Sequence, residues 1–117
     1  MHIRQTIAIE APPDRVMEAC RTWMRGELRD LGGEIIDGVS AHGAPSITSA
    51  IDQDGIRMTT SLTVSAHNTG SKLTLDLRTR GIDLGAKIRN VSLLPGRKLV
   101  TGQARASLQE IKASAER

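Results

Sequence analysis

The sequence has no phenylalanine and no tyrosine, and Trp23 is its only aromatic residue. An aromatic core is thereby excluded, and Ile, Leu, Val, Met and Ala must fill the interior. The stacking platforms on which many nucleic-acid binders hold their bases are missing as well. Cysteine is as scarce: Cys20 stands alone, so no internal disulfide can form, which fits a reducing, cytoplasmic setting. No apolar run is long enough to span a bilayer, so no integral membrane segment is expected. The start, Met1-His2-Ile3-Arg4-Gln5, enters directly on an alternating pattern, without the apolar core of a signal peptide. Charge of one sign does not dominate either. The net charge is +3 and the pI near 9.6, but Arg and Lys are spread along the chain with Asp and Glu among them. Without a clustered basic stripe, no nucleic-acid partner is expected.

What is present is a globular balance of 38% apolar and 25% charged residues over 117 positions. That length gives one domain, residues 1–117, burying roughly 65% of its unfolded surface. There is no internal repeat, low-complexity tract or linker to mark a second one.

Hydrophobic period orders the elements. Residues 2–10 alternate as a strand, with Ile3, Ile7 and Ile9 on one face and Gln5 among them. Ala11-Pro12-Pro13-Asp14 stops it and opens a helix, because proline lacks only an N–H that the first turn does not need, and Asp14 suits the positive end of the helix dipole. Val16, Cys20, Trp23, Leu28 and Leu31 recur at helical spacing, with Met17 and Met24 beside them, and Gly26 is placed to divide the stretch into two shorter helices. Gly32-Gly33 ends it. Short strands are expected at 34–39 and 46–51, with a loop at Ala41–Pro45 and a turn at Asp52-Gln53-Asp54-Gly55. The clearest elements come next. Ile56, Met58, Thr60, Leu62, Val64 and Ala66 alternate with polar residues, His67-Asn68-Thr69-Gly70 turns the chain, and Leu73, Leu75, Leu77 and Thr79 resume the alternation. This predicts an antiparallel hairpin with one dry and one wet face. Gly81-Ile82-Asp83 ends the sheet. Residues 84–115 read as helix with a break at Pro95-Gly96, and Val100, Ala104, Leu108, Ile111 and Ala115 form its apolar stripe. The fold class is α+β: a curved antiparallel sheet packed on a long C-terminal helix, with a short helical segment after the first strand.

Ile7-Ala8-Ile9-Glu10-Ala11-Pro12-Pro13-Asp14-Arg15-Val16 resembles the opening of the START-related superfamily, above all its polyketide cyclase/dehydrase branch, often called SRPBCC. Ala106 to Glu116 is similar to the closing helix of those proteins, and the hairpin around Gly70 sits where their paired late strands sit. Residues 32–55 are compressed relative to the family's usual seven strands. The resemblance implies a helix-grip fold, in which sheet and terminal helix enclose an apolar cavity. It also implies a ligand of the lipid, isoprenoid or polyketide kind. The superfamily has no shared catalytic motif, so the resemblance assigns no catalytic residue and no cofactor.

The residues themselves point to few sites. His2, His42 and His67 lack metal-ligand spacing, so no metal is expected. Cys20 lies on an apolar helix face, where a thiol is a small inert hydrophobe. A Gly-x-Ser-x-Gly elbow is missing, and Pro95-Gly96-Arg97-Lys98 lacks the spacing of a phosphate loop. Met17, Met24 and Met58 suit either a core without Phe and Tyr or an adaptable apolar pocket. Most informative are the polar residues on dry faces: Gln5, Thr60, Thr79 and Gln103. A buried polar group without a partner costs roughly 1–3 kcal/mol, and a pocket combines apolar walls with a few such groups. Backbone or buried water would satisfy them equally well.

These readings give a binding domain for an apolar or amphipathic small molecule, its pocket lined by Met17, Met24, Met58, Thr60, Leu62, Leu75, Val100 and Gln103. Two alternatives stay open. One is a cyclase or dehydratase, for which no acid or base stands on a dry strand face, leaving Glu18 or Asp37 as candidates. The other is a protein-interaction module with a filled core. An exposed sheet edge in the compressed region could pair with a second copy to form a homo-oligomer.

Overall fold

A computed structural model describes residues 2–29, 33–40, 43–53, 55–81 and 97–117. Among these the chain forms β1 (His2–Ile9), α1 (Pro13–Leu28), β2 (Glu34–Val39), β3 (Pro45–Gln53), β4 (Ile56–His67), β5 (Gly70–Gly81) and α2 (Arg97–Ala115). The strands make one antiparallel sheet in the order β1-β5-β4-β3-β2. Both helices lie on one side of it and pack on each other.

Register turns the alternation of each strand into rows across the inner face. Ile3, Leu77, Thr60, Ser49 and Ile35 make one row, and Gln5, Leu75, Leu62, Ile47 and Asp37 the next. The second row meets the helices in a dense core, where Leu62, Ile47 and Leu73 are fully buried with Val16 and Cys20 of α1 and with Leu108 and Ile111 of α2. Fully burying a side chain of this size contributes about 1.5–3 kcal/mol. No aromatic ring is needed for this, because β-branched and Leu side chains interdigitate between sheet and helix.

The hairpin closes at Asn68, whose φ of 52° is a left-handed value that Asn tolerates. Gly70 follows because nothing larger fits. A Cβ there would stand 2.3 Å from the Ile9 carbonyl oxygen. Beside it the buried Ser71 hydroxyl donates to the Ala11 carbonyl at 2.7 Å, fastening the turn between β1 and α1 to the sheet. The far end of α2 is tied to the same corner. The Glu10 amide donates to Glu116 Oε2 at 2.8 Å, and Lys112 Nζ donates to Glu116 at 2.6 Å and to the Ala8 carbonyl at 3.3 Å. Arg15 also donates to the carbonyl of Arg117.

Two expectations are corrected. Gly26 does not divide the first helix: α1 runs unbroken from Pro13 to Leu28. One glycine in a helix costs about 1 kcal/mol relative to alanine, and burial of Met24 and Leu28 on either side of Gly26 offsets it. The second short strand is longer than its apolar pattern, because β3 pairs with β4 from Ser46 to Gln53. The helical reading of 84–96, the break at Pro95-Gly96, and His42 lie outside the described residues.

Candidate functional site

At one end of the helix-covered face the packing opens into a cavity of about 550 Å³. Its floor is sheet: Ser49 and Ile51 of β3, Met58 and Thr60 of β4, Leu75 and Leu77 of β5. One wall is the last two turns of α1, with Trp23, Met24, Glu27 and Leu28; the other is the first half of α2, with Val100, Gln103, Ala104, Ala106 and Ser107. The ties around Glu116 gather at the opposite end of α2, and the space opens between the helices here.

Of the residues singled out from sequence, Met24, Met58, Thr60, Leu75, Val100 and Gln103 line this cavity. Met17 and Leu62 do not. Met17 lies seven residues before Met24, about 10 Å back along the helix axis, and packs against the core. Leu62 is entirely buried in the row beyond Thr60, where helix and sheet already touch. Gln5 is half-buried on β1, and Thr79 is buried at the end of β5. Neither lines the cavity.

The lining is mostly apolar, with its polar groups distributed over three elements. Thr60 and Ser49 are register partners on adjacent strands, so their side chains stand side by side on the floor, and Ser49 is buried. Trp23 supplies the least ordinary group. Its indole Nε1 is buried and, among the described residues, has no hydrogen-bond partner. A buried donor left unpaired costs about 1–3 kcal/mol. Ser49 and Trp23 were not singled out from sequence as lining residues. Ser49 interrupts Ile47 and Ile51 at period two, the signal that did reveal Thr60, whereas a tryptophan at helical spacing reads as core.

The acid and base candidates fall elsewhere. Glu18 is exposed on α1. Asp37, by contrast, does belong to the inner face, since it pairs with Ile47, which corrects the expectation that no acid stands there. It sits on the edge strand, exposed and ion-paired with Arg21 of α1, and does not line the cavity. The acidic side chain that does is Glu27, exposed at the end of α1. Cys20 lies deep in the core, and burial pushes its thiol up to about 12, so it carries no thiolate at neutral pH.

No family model matches the sequence, and no curated protein matches it. Solved structures do. A protein from Chromobacterium violaceum aligns over 100% of this chain and 99% of its own with a TM-score of 0.54 at 17% identity. Ara h 8.0201 aligns over 98% and 97% with a TM-score of 0.53 at 10% identity. Norcoclaurine synthase from Thalictrum flavum, solved in complex with dopamine and hydroxybenzaldehyde, aligns over 97% and 84% with a TM-score of 0.53 at 14% identity.

The chain has the helix-grip fold. Ara h 8.0201 and norcoclaurine synthase are Bet v1-like proteins of the SRPBCC superfamily, and at such identities the likeness to this helix-grip chain is one of fold. Five described strands and two described helices reproduce the sheet, the short helix after the first strand and the terminal helix. Among the described residues, no helix is long and apolar enough to cross a membrane.

Proposed function

We propose that residues 1–117 form one helix-grip domain that binds an apolar or amphipathic small molecule, of the lipid, isoprenoid or polyketide kind, in the cavity between α1, α2 and the sheet. One observation carries this reading: a space of about 550 Å³ with apolar walls holds a few polar side chains, among them Ser49 and Thr60 side by side on adjacent strands. Ligand sites span roughly 300–1,000 Å³ and have this lining. An apolar body would cover Met24, Met58, Leu75 and Val100, while a carbonyl or hydroxyl on it would meet Thr60 and Ser49. The complex of norcoclaurine synthase shows that the fold accommodates small organic molecules. The cavity counts against the alternative of a protein-interaction module with a filled core. The lone buried cysteine is compatible with a cytoplasmic protein.

The test is an amide and indole NMR titration with fatty acids, isoprenoids, sterols and aromatic polyketides. Trp23 gives a single indole N–H signal, because there is no other tryptophan. Saturable shifts of that signal and of Met58, Thr60 and Gln103, reduced in Ala104→Leu, are expected; no shift with any ligand class in a folded sample refutes the reading.

Glu27 favours a second reading, catalysis of the cyclase or dehydratase kind. A carboxylate lining the cavity can move a proton on a molecule held there. Loss of turnover in Glu27→Gln with binding retained would establish it, and equal turnover would remove it. The reading also admits a homo-oligomer. The edge strand β2 exposes Ile36 and Val39 to 60% and 69%, and antiparallel pairing with a second copy would set the two Ile36 side chains together. A dimer by sedimentation, dissociated by Ile36→Lys, is the expected result.

A further inference from the structure

Arginines far apart in sequence meet on the outer face of the sheet, the side away from the cavity. Arg80 of β5 stands directly opposite Arg57 of β4, and Arg78 lies between Thr59 of β4 and His2 of β1. Arg4 is opposite Asp76 in the adjoining row. Like charges placed directly opposite on one face repel, so this arrangement works against the sheet unless something answers the charge.

The protein answers it in part. Asp52 accepts from Arg57 Nε at 2.8 Å and from Nη2 at 3.0 Å. Asp76 accepts from Arg4 Nε at 2.9 Å and lies 2.8 Å from His2 Nε2. Among the described residues, Arg78 and Arg80 reach no carboxylate within ion-pair distance. Among the described residues, four arginines against two carboxylates leave an excess of two positive charges at this end of the face. The excess surrounds a hollow lined on this face by His2, Arg57, Thr59, Arg78 and Arg80, with Thr79 between the last two along the strand.

We propose that this hollow is a site for a phosphate group, carried either by a soluble phosphorylated molecule or by a phospholipid headgroup. The chemistry selects phosphate over a single carboxylate. A phosphate dianion matches the excess charge. Its several oxygens can take the guanidinium forks of Arg78 and Arg80 together, in short charge-assisted hydrogen bonds, with the Thr59 hydroxyl as a further donor. The site is independent of the apolar cavity, since the two occupy opposite faces of the sheet.

The test uses the whole chain in two arms at fixed ionic strength. In the first, inorganic phosphate is titrated against the amide spectrum. In the second, the protein is sedimented with vesicles of phosphatidylcholine alone or mixed with phosphatidic acid. Saturable shifts at Thr59, Arg78 and Arg80 in the first arm alone assign a soluble ligand, and sedimentation that requires phosphatidic acid assigns a headgroup. Either signal should weaken about tenfold or more in Arg78→Gln/Arg80→Gln, the scale of losing charged hydrogen bonds, and substantially in Arg78→Lys/Arg80→Lys, which keeps charge but not the fork. Both arginines are exposed, so the variants should fold, and their spectra report it directly. Absence of binding in both arms overturns the proposal. So does binding that the lysine pair retains in full, because diffuse positive charge would then be enough.

Discussion

Along β5, Leu73, Leu75 and Leu77 are buried while Lys72, Arg78 and Arg80 on the opposite face are exposed. The same strand serves both faces, yet they are held by different forces. The inner face gains from area removed from water, which has no direction and grows with every methyl group. The outer face relies on directed pairs: Thr6 with Thr74 at 3.3 Å, Thr48 with Ser61 at 3.0 Å, Arg57 with Asp52. Each of the two hydroxyl pairs contributes roughly 0.2–1 kcal/mol. The contrast places stability on one face and leaves the other able to vary its charges. A slip of one residue would exchange the faces, so the inner face also fixes register for the outer.

The sharpest way to break this comparison is to truncate neighbours on opposite faces. Leu73→Ala empties a site that is fully buried and should cost about 2–5 kcal/mol in urea unfolding. Lys72→Ala, one residue earlier and exposed, should stay within about 0.5 kcal/mol of the parent. Equal losses would mean that the outer face contributes packing of its own.

The inner face was legible in sequence because its signal is local. Leu73-x-Leu75-x-Leu77 and Ile56-x-Met58 state their period within one strand, and from them come the hairpin, the sheet and most of the cavity floor. The walls were less legible. Whether Met17 or Met24 faces the opening depends on where along α1 the helices part, and Glu27 and Ser107 look like ordinary solvent-facing side chains until two helices meet over the sheet. The outer arginine group was hidden for a related reason. Arg4, Arg57, Arg78 and Arg80 are spread along the chain, and only register brings them together.

Gly70→Ala probes the corner where both faces begin. A methyl group 2.3 Å from the Ile9 carbonyl oxygen must push backbone aside, and a loss of about 1–3 kcal/mol is expected in thermal unfolding. Asn68→Gly, in the same turn but without such a contact, should leave stability nearly unchanged.

Cys20 tests the inner face by pH. Burial raises its thiol from 9.0 to about 12 in the folded protein. The unfolded chain then ionises first, so this stability is complete below pH 9 and is lost as pH rises toward 12. The slope is about 1.4 kcal/mol per pH unit for one group. No tyrosine titrates in that range to obscure it. Cys20→Ala should flatten the alkaline limb of the stability curve while lowering its plateau, and an unchanged limb would mean that the site admits water.

The smallest effect belongs to the outer face. Partial burial pushes the Asp76 carboxyl up, but the hydrogen bonds from His2 and Arg4, with their charges, outweigh it and hold the group below its ordinary 3.8. A depressed carboxylate stabilises the fold above its unfolded value, and that contribution is lost as pH falls through the folded one. Asp76→Asn should therefore cost less than about 1 kcal/mol at neutral pH, as partly exposed pairs do, and remove part of the acid dependence. Added salt should shrink the difference between parent and variant, because it screens exposed charges but leaves buried apolar area intact. The same salt should leave the loss in Leu73→Ala nearly unchanged. If both losses respond alike, the two faces are coupled through the strands and the division between directed pairs and buried area fails.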